Sequence, residues 1–204
     1  MAHQILRSSL LAIAVLGLVS GCASYDRKTV NVRKLDEYVA KASAGGVSMA
    51  AEAFDTPEGS KAILDEDVTE KGYVPVQVVF ENATGERVLI LRASVELEDS
   101  SGRTYRPANS AEVADAVKDN KMAYALLGFG IFSYMSAEDA NNDRGADYRQ
   151  KSLPENLIVS PRRTENGLLF FNVGKGVRIN GFKVKAVAEL MTSNRDLDLE
   201  VTLP

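Results

Sequence analysis

The residues able to do chemistry in this chain are few, and their scarcity narrows the field. Its 204 residues include one cysteine, Cys22, one histidine, His3, and no tryptophan. Histidine titrates near neutrality and is the commonest general base and metal ligand. His3 precedes Cys22 in a segment that reads as removable, so the mature chain has no histidine at all. Ser-His-Asp and Cys-His arrangements and most zinc sites are thereby excluded. Carboxylates are plentiful, with 28 Asp and Glu. A hydrolase can run on two of them alone, typically about 5–10 Å apart, yet no pair stands out in the sequence. Asp139, Asn141 and Asp143 have the spacing of the start of a calcium loop. An EF-hand needs Gly at its sixth position and Glu at its twelfth, and Arg144 and Gln150 stand there. The reading is of a chain that is not an enzyme and carries no cofactor.

Cys22 has a context of its own. Arg7 gives a positive start, Leu10 to Val19 is an apolar run, and Ser20 and Gly21 are small. A basic start, about 7–15 apolar residues and a small-residue cut site describe a secretory signal. The run is shorter than the ~20 residues a membrane-spanning helix needs. Leu18-Val19-Ser20-Gly21-Cys22 resembles the lipobox of bacterial lipoproteins, with Val19 where the family usually has Leu. The resemblance implies a signal peptide over residues 1–21, diacylglycerol on the Cys22 sulfur, and a fatty acyl chain such as palmitate on the new amino terminus. Several acyl chains hold a protein to a membrane far better than one. Ala23 stands where an Asp would imply inner-membrane retention, so the resemblance implies the periplasmic side, at the outer membrane rather than the inner. No disulfide can form.

Cleavage would remove one cation, Arg7, from a chain of net charge −4, leaving −5. Mild acidity argues against nucleic acid, which is bound through basic patches. Roughly 180 residues suffice for one well-buried domain.

Residues 22–46 read as the lipidated cysteine and a tether. Val32, Leu35, Val39 and Ala42 are spaced as on one helical face, so a short amphipathic helix is expected between Lys28 and Ser43, with a solvated linker as the alternative. The folded domain is expected over 47–204. Val47 to Ala53 alternates as a first strand, and Thr56-Pro57 reads as an N-cap with proline at the first helical position. Val74, Val76, Val78 and Phe80 share one face of a strand spanning Tyr73–Asn82. Val88–Glu98 reads as one strand with Leu89, Leu91, Ala93, Val95 and Leu97 on its inner side. Leu157–Val159, Gly167–Val173, Phe182–Leu190 and Leu197–Leu203 complete the set. Period-two alternation of this kind marks strands with one buried and one wet face. Mainly β, an Ig-like antiparallel two-sheet sandwich with a helical insert between strands and a short N-terminal helical tether is the expected fold, with a closed barrel as the alternative. Arg162-Arg163 with Lys183 and Lys185 offers a small basic patch, or simply wet surface.

The insert, residues 108–153, is the unusual part. Asn109 and Glu112 have capping-box spacing. Met122 to Ala137 then carries no charged side chain. This stretch is too short to span a bilayer and too long for an ordinary surface loop. Either it covers an open face or edge of the sandwich, or Leu126, Leu127, Phe129, Ile131, Phe132 and Met135 form an exposed patch for membrane or a partner.

Three stretches carry a second resemblance: Tyr73–Asn82, Leu97–Pro107 and Gly167–Phe171. They resemble a loose set of uncharacterised bacterial lipoproteins with an Ig-like sandwich interrupted by a Gly-containing hydrophobic insert. The resemblance implies fold and surface location and brings no catalytic residue. The functional expectation is a lipid-anchored binding or structural module for another envelope component. The alternative is a protein that contacts lipid or membrane through residues 122–137.

Overall fold

The computed structural model describes residues 25–118 and 130–204, excepting the side chains of 130–137. The chain divides into two compact units, the larger made of Asp26–Val117 and Gly145–Pro204. The smaller comprises Met1–Tyr25 and Lys118–Arg144. Among the described residues the larger unit is mainly β, with ten strands in two antiparallel sheets.

The first sheet is four-stranded: β1 (Ala40–Ala44), β2 (Val47–Ala53), β3 (Tyr73–Asn82) and β8 (Arg163–Asn172), in that order. β1 was not expected. Where helical spacing suggested a tether helix, the chain has only a short 3-10 turn at Leu35–Glu37 and then this strand. Its hairpin with β2 closes at Gly45-Gly46, with Ala44 opposite Val47. Both glycines have positive φ, +57° and +88°, which two-residue hairpin turns favour. Tyr38 and Ala40 are buried while Val32 and Val39 are exposed, Val39 by 82%, so pairing with β2 overrode the apparent helical face.

The second sheet contains β4 (Val88–Leu91), β5 (Glu96–Glu98), β6 (Thr104–Tyr105), β7 (Asn156–Val159), β9 (Lys183–Leu190) and β10 (Arg195–Thr202). β10 pairs along one edge of β9, while β4 and β5 share its other edge. The single strand expected over Val88–Glu98 is therefore broken, by a 3-10 turn at Arg92–Ser94. The break changes parity. Val88 and Ile90 point inward before it, Val95 and Leu97 after it, and Leu91 and Ala93 are exposed. Strict alternation across eleven residues would have put Val88 and Ile90 in water, so the turn absorbs the mismatch.

Outside β4 and β5 lie β7 and β6, pairing Val88–Leu91 with Val159–Asn156 and Leu97–Glu98 with Tyr105–Thr104. Both are antiparallel to the same broken strand, so they run in one line. Between them the chain passes through α2 (Ser110–Ala116) and α3 (Gly130–Lys151). One further helix, α1 (Pro57–Leu64), joins β2 to β3. Thr56 caps it by accepting from the Gly59 amide at 2.8 Å, with proline at its start. Asn109 caps α2 by accepting from Ala111 N. Glu112 does not complete the capping box; it accepts from the Tyr73 hydroxyl at 2.6 Å instead.

The inner faces share one core. Val74, Val76, Val78 and Phe80 of β3 and Leu169 and Phe171 of β8 meet Ile90, Leu97, Val184, Ala188, Leu199 and Val201 from the second sheet. Asn82 joins the sheets at one end, its buried amide donating to Val159 O at 3.0 Å and Glu86 O at 2.8 Å. Gly167 is fixed by packing: a Cβ there would sit 2.5 Å from Leu153 Cα.

β3 departs from the one-wet-face expectation, since Gln77 and Val79 on its outer side are also fully buried. Two segments cover that side. Residues 26–38 lie across it, with Tyr38 packed on Ala50 and Val79. The last turns of α3 lie beside them, where Tyr148 stacks on Phe170 at 5.8 Å between ring centroids.

Candidate functional site

The residues singled out from sequence fall largely outside the described part. Cys22, Leu126, Leu127 and Phe129 lie outside the described residues. Ile131, Phe132 and Met135 belong to the backbone of α3, but their side chains are outside the description. Asp139, Asn141 and Asp143 also lie within α3 rather than on a loop, and Asn141 accepts from the Arg144 guanidinium at 2.6 Å. A continuous helix cannot wrap these three side chains around one ion as a calcium loop does. Among the described residues no group of three or more His, Cys, Asp and Glu is placed to hold a metal.

The basic patch is not assembled. Arg163 begins β8 in the first sheet, whereas Lys183 and Lys185 lie on β9 in the second. There Lys185 pairs with Glu98 at 2.6 Å and Lys183 with Glu200 at 2.8 Å. The Glu98 hydrogen bond raises the Lys185 pKa, and the Lys183 hydrogen bond lowers that of Glu200. Opposite charges on adjacent strands thus neutralise the outer face of the second sheet.

Among the clefts of the larger unit, two hold about 530 and 540 Å³. The first, about 530 Å³, lies between the segment joining β2 to β3 and the segment joining β8 to β9, with Asp55, Asp67, Glu70, Lys71, Lys175 and Arg178 among its lining residues. Asp55 and Asp67 are already engaged in structure. Asp55 accepts from Ile179 N at 2.9 Å and pairs with Arg178 at 3.5 Å, tying the two segments together. Asp67 accepts from Thr69 N at 3.0 Å to start the 3-10 turn at Val68–Lys71. The arrangement latches the two loops together.

The second cleft, about 540 Å³, lies on the covered side of the first sheet. Arg27, Lys28, Thr29 and Val30 form one wall, and Asp147, Gln150 and Lys151 with Asn166–Leu168 form the other. Lys28 bridges Asp26 at 2.6 Å and Asp65 at 3.2 Å, and these hydrogen bonds raise its pKa. Asp65 also accepts from Asp26 N at 2.9 Å. Lys151 is 12% exposed, donates to Ile63 O at 2.8 Å and pairs with Asp147 at 2.5 Å. Its charges are matched, so the cleft has no strong pull on a free ion of either sign. What it does is fasten the segment that begins at Asp26 onto the domain. Nothing in the sequence pattern singled out this cleft; the one available signal was the charge-rich run Tyr25-Asp26-Arg27-Lys28 a few residues after the apolar stretch Leu10–Val19.

Among the described residues no helix is long and apolar enough to cross a membrane. No protein-family model and no curated protein matches the chain. Among solved structures, the crystal structure of the yjhA protein from Bacillus subtilis is similar over 82% of this chain and 98% of that one, with 12% sequence identity and a TM-score of 0.41. A likeness that loose carries no argument about fold or function.

Proposed function

We propose that this chain is a lipid-anchored, non-catalytic lipoprotein of the bacterial cell envelope, acting as a binding or structural module for another envelope component. The observation that carries it is Leu18-Val19-Ser20-Gly21-Cys22, which places the only cysteine of the chain directly after an apolar leader and two small residues. Removal of that leader leaves no histidine, which supports a non-catalytic role. Ala23 supports the outer membrane, periplasmic side, over the inner membrane. The sandwich is read as Ig-like with a helical insert. Strand order supports this, since β3 to β4, β7 to β8 and β8 to β9 each pass between the sheets. The collinear edge strands β6 and β7, with α2 and α3 between them, support the insert. The test is to express the full chain and its Cys22→Ser variant in a bacterium fed labelled palmitate. Label on the wild type alone, with the wild type in the membrane fraction and the variant released, is the expected result. Equal fractionation without label in either protein would refute the anchor.

A second reading rests on the charge-free stretch Met122–Ala137. Here Leu126, Leu127, Phe129, Ile131, Phe132 and Met135 touch lipid or membrane directly. Unlipidated residues 23–204 would then float with liposomes, and Phe129→Asp with Phe132→Asp would abolish flotation while leaving a folded protein. Absence of flotation by the parent protein removes this reading.

A further inference from the structure

Cys22 is four residues from Asp26, and Asp26 is already fastened to the domain through Asp65 and Lys28. A fully extended chain spans at most about 3.3–3.6 Å per residue, so four residues reach roughly 14 Å. A unit of about 150 residues has a radius of gyration of roughly 15 Å. A leash no longer than that radius cannot let the domain roll over and present its far side. Resting on the anchor reading above, we propose that the covered outer side of the first sheet, around the cleft between Arg27–Val30 and Asp147–Lys151, lies against the lipid headgroups of the anchoring bilayer. The second sheet then faces away, toward whatever the protein meets. The ion pairs Lys28–Asp26, Lys28–Asp65 and Lys151–Asp147 neutralise this side internally. Its apposition therefore comes from tether length and not from charge, and it does not require anionic lipid.

The fixed bonds of Asp26 matter more than its distance along the sequence. Beyond them the chain stays attached through Asn31, whose carbonyl accepts from Gln77 Nε2 at 3.4 Å, and Arg33, which pairs with Glu52 at 2.7 Å. The segment that would be a flexible stalk in a longer-leashed protein is here part of the domain surface.

The test uses the full chain, purified from membranes in detergent and reconstituted into phosphatidylcholine vesicles carrying a lipid with a nitroxide on its headgroup. Native Cys22 is blocked by its lipid, so one added cysteine takes one fluorophore. Thr29→Cys and Gln150→Cys report the proposed contact side, both being exposed residues of the cleft wall. Ile158→Cys and Asp198→Cys, exposed on β7 and β10 of the second sheet, report the far side. Quenching is expected to be several-fold stronger at Thr29 and Gln150 than at Ile158 and Asp198, and unchanged in 0.5 M salt, on the order of sixteen-fold less screening length than at 2 mM. Equal quenching at all four sites, or stronger quenching at Ile158, overturns the proposed orientation while leaving the anchor intact. Failure of the anchor itself is read separately, as wild type recovered in the soluble fraction alongside Cys22→Ser, and it removes this contact as well.

Discussion

The Tyr38 hydroxyl donates to Gln77 Oε1 at 3.3 Å on the outer side of the first sheet, joining a segment that precedes the first strand to the middle of a central one. The same hydroxyl accepts from Arg33 N at 3.2 Å, and the Arg33 guanidinium sits 4.4 Å above the Tyr38 ring centroid. Tyr38→Ala should cost about 3–5 kcal/mol, the usual range for truncating a buried aromatic side chain. Tyr38→Phe keeps the ring but leaves Gln77 Oε1 without this donor, at about 1–3 kcal/mol. Urea unfolding of the two variants checks both values; a neutral Tyr38→Ala would mean that residues 26–38 do not pack on the sheet in solution.

Gly167→Ala should lower stability by about 1–3 kcal/mol, as overpacking of a tight interior does. The added methyl would meet the Leu153 backbone, Cα at 2.5 Å and N at 2.6 Å, and backbone cannot swing aside like a side chain. Thermal unfolding against wild type measures the loss.

Lys151 and Asp147 give an asymmetric prediction. Both side chains are largely buried, with 12% and 6% exposed. Lys151→Ala alone should cost about 1–3 kcal/mol, because it removes a charged hydrogen-bond partner from the buried Asp147 carboxylate. Lys151→Met combined with Asp147→Asn should cost less, since the carboxylate that Lys151 faces is neutralised along with it. A double variant as unstable as the single one would show that the charge pair is not the reason for the loss.

Glu86 predicts a pH dependence. Its carboxylate accepts from Ser193 N and Thr192 N, each at 2.8 Å, and from the Ser193 hydroxyl at 2.9 Å. The Ser193 amide is the chief cause of its lowered pKa. A folded-state pKa below the unfolded one contributes stability that is present above the unfolded carboxylate pKa and lost as pH falls through the folded value. Wild type should therefore be more stable than Glu86→Gln at pH 7, and the difference should close in acid, below the ordinary carboxylate range. Paired denaturation curves from pH 7 to pH 2.5 follow it; a difference that grows toward acid contradicts the assignment.

Sequence patterning served best where a strand has one dry face and one wet face. β9 and β10 were legible apart from one or two residues at their ends, since Val184, Ala186, Ala188 and Leu190 alternate with polar residues and end up buried. Thr56 and Asn109 were legible as caps because a cap depends on neighbours within a few residues. β1 was not, because Val32, Leu35, Val39 and Ala42 happen to share helical spacing; Gly45-Gly46 was the hairpin signal that outweighed it. Val79 and Gln77 could not be read as buried, because what covers them arrives from residues 26–38, distant in sequence. The parity change at Arg92–Ser94 was hidden for a different reason: Leu89, Leu91, Val95 and Leu97 make an unbroken alternation on paper, and only pairing with β9 selects Val88 and Ile90 instead. Of the candidate site, the fastening of Asp26 to Asp65 was not legible, since that contact joins residues 39 apart.

The collinear edge formed by β6 and β7 has a consequence for how the molecule is made. As the chain leaves the ribosome, Thr104–Tyr105 can zip onto Leu97–Glu98 at once, because a tight turn joins them. Asn156–Val159 completes the same edge only after α2 and α3 have been synthesised. The nascent strand Val88–Leu91 thus waits with both edges bare, because its other partner, Lys183–Leu190, is made later still, and open strand edges are of the kind that recruits other chains. For a chain that emerges residue by residue, the time between the two halves of that edge is its most sticky interval.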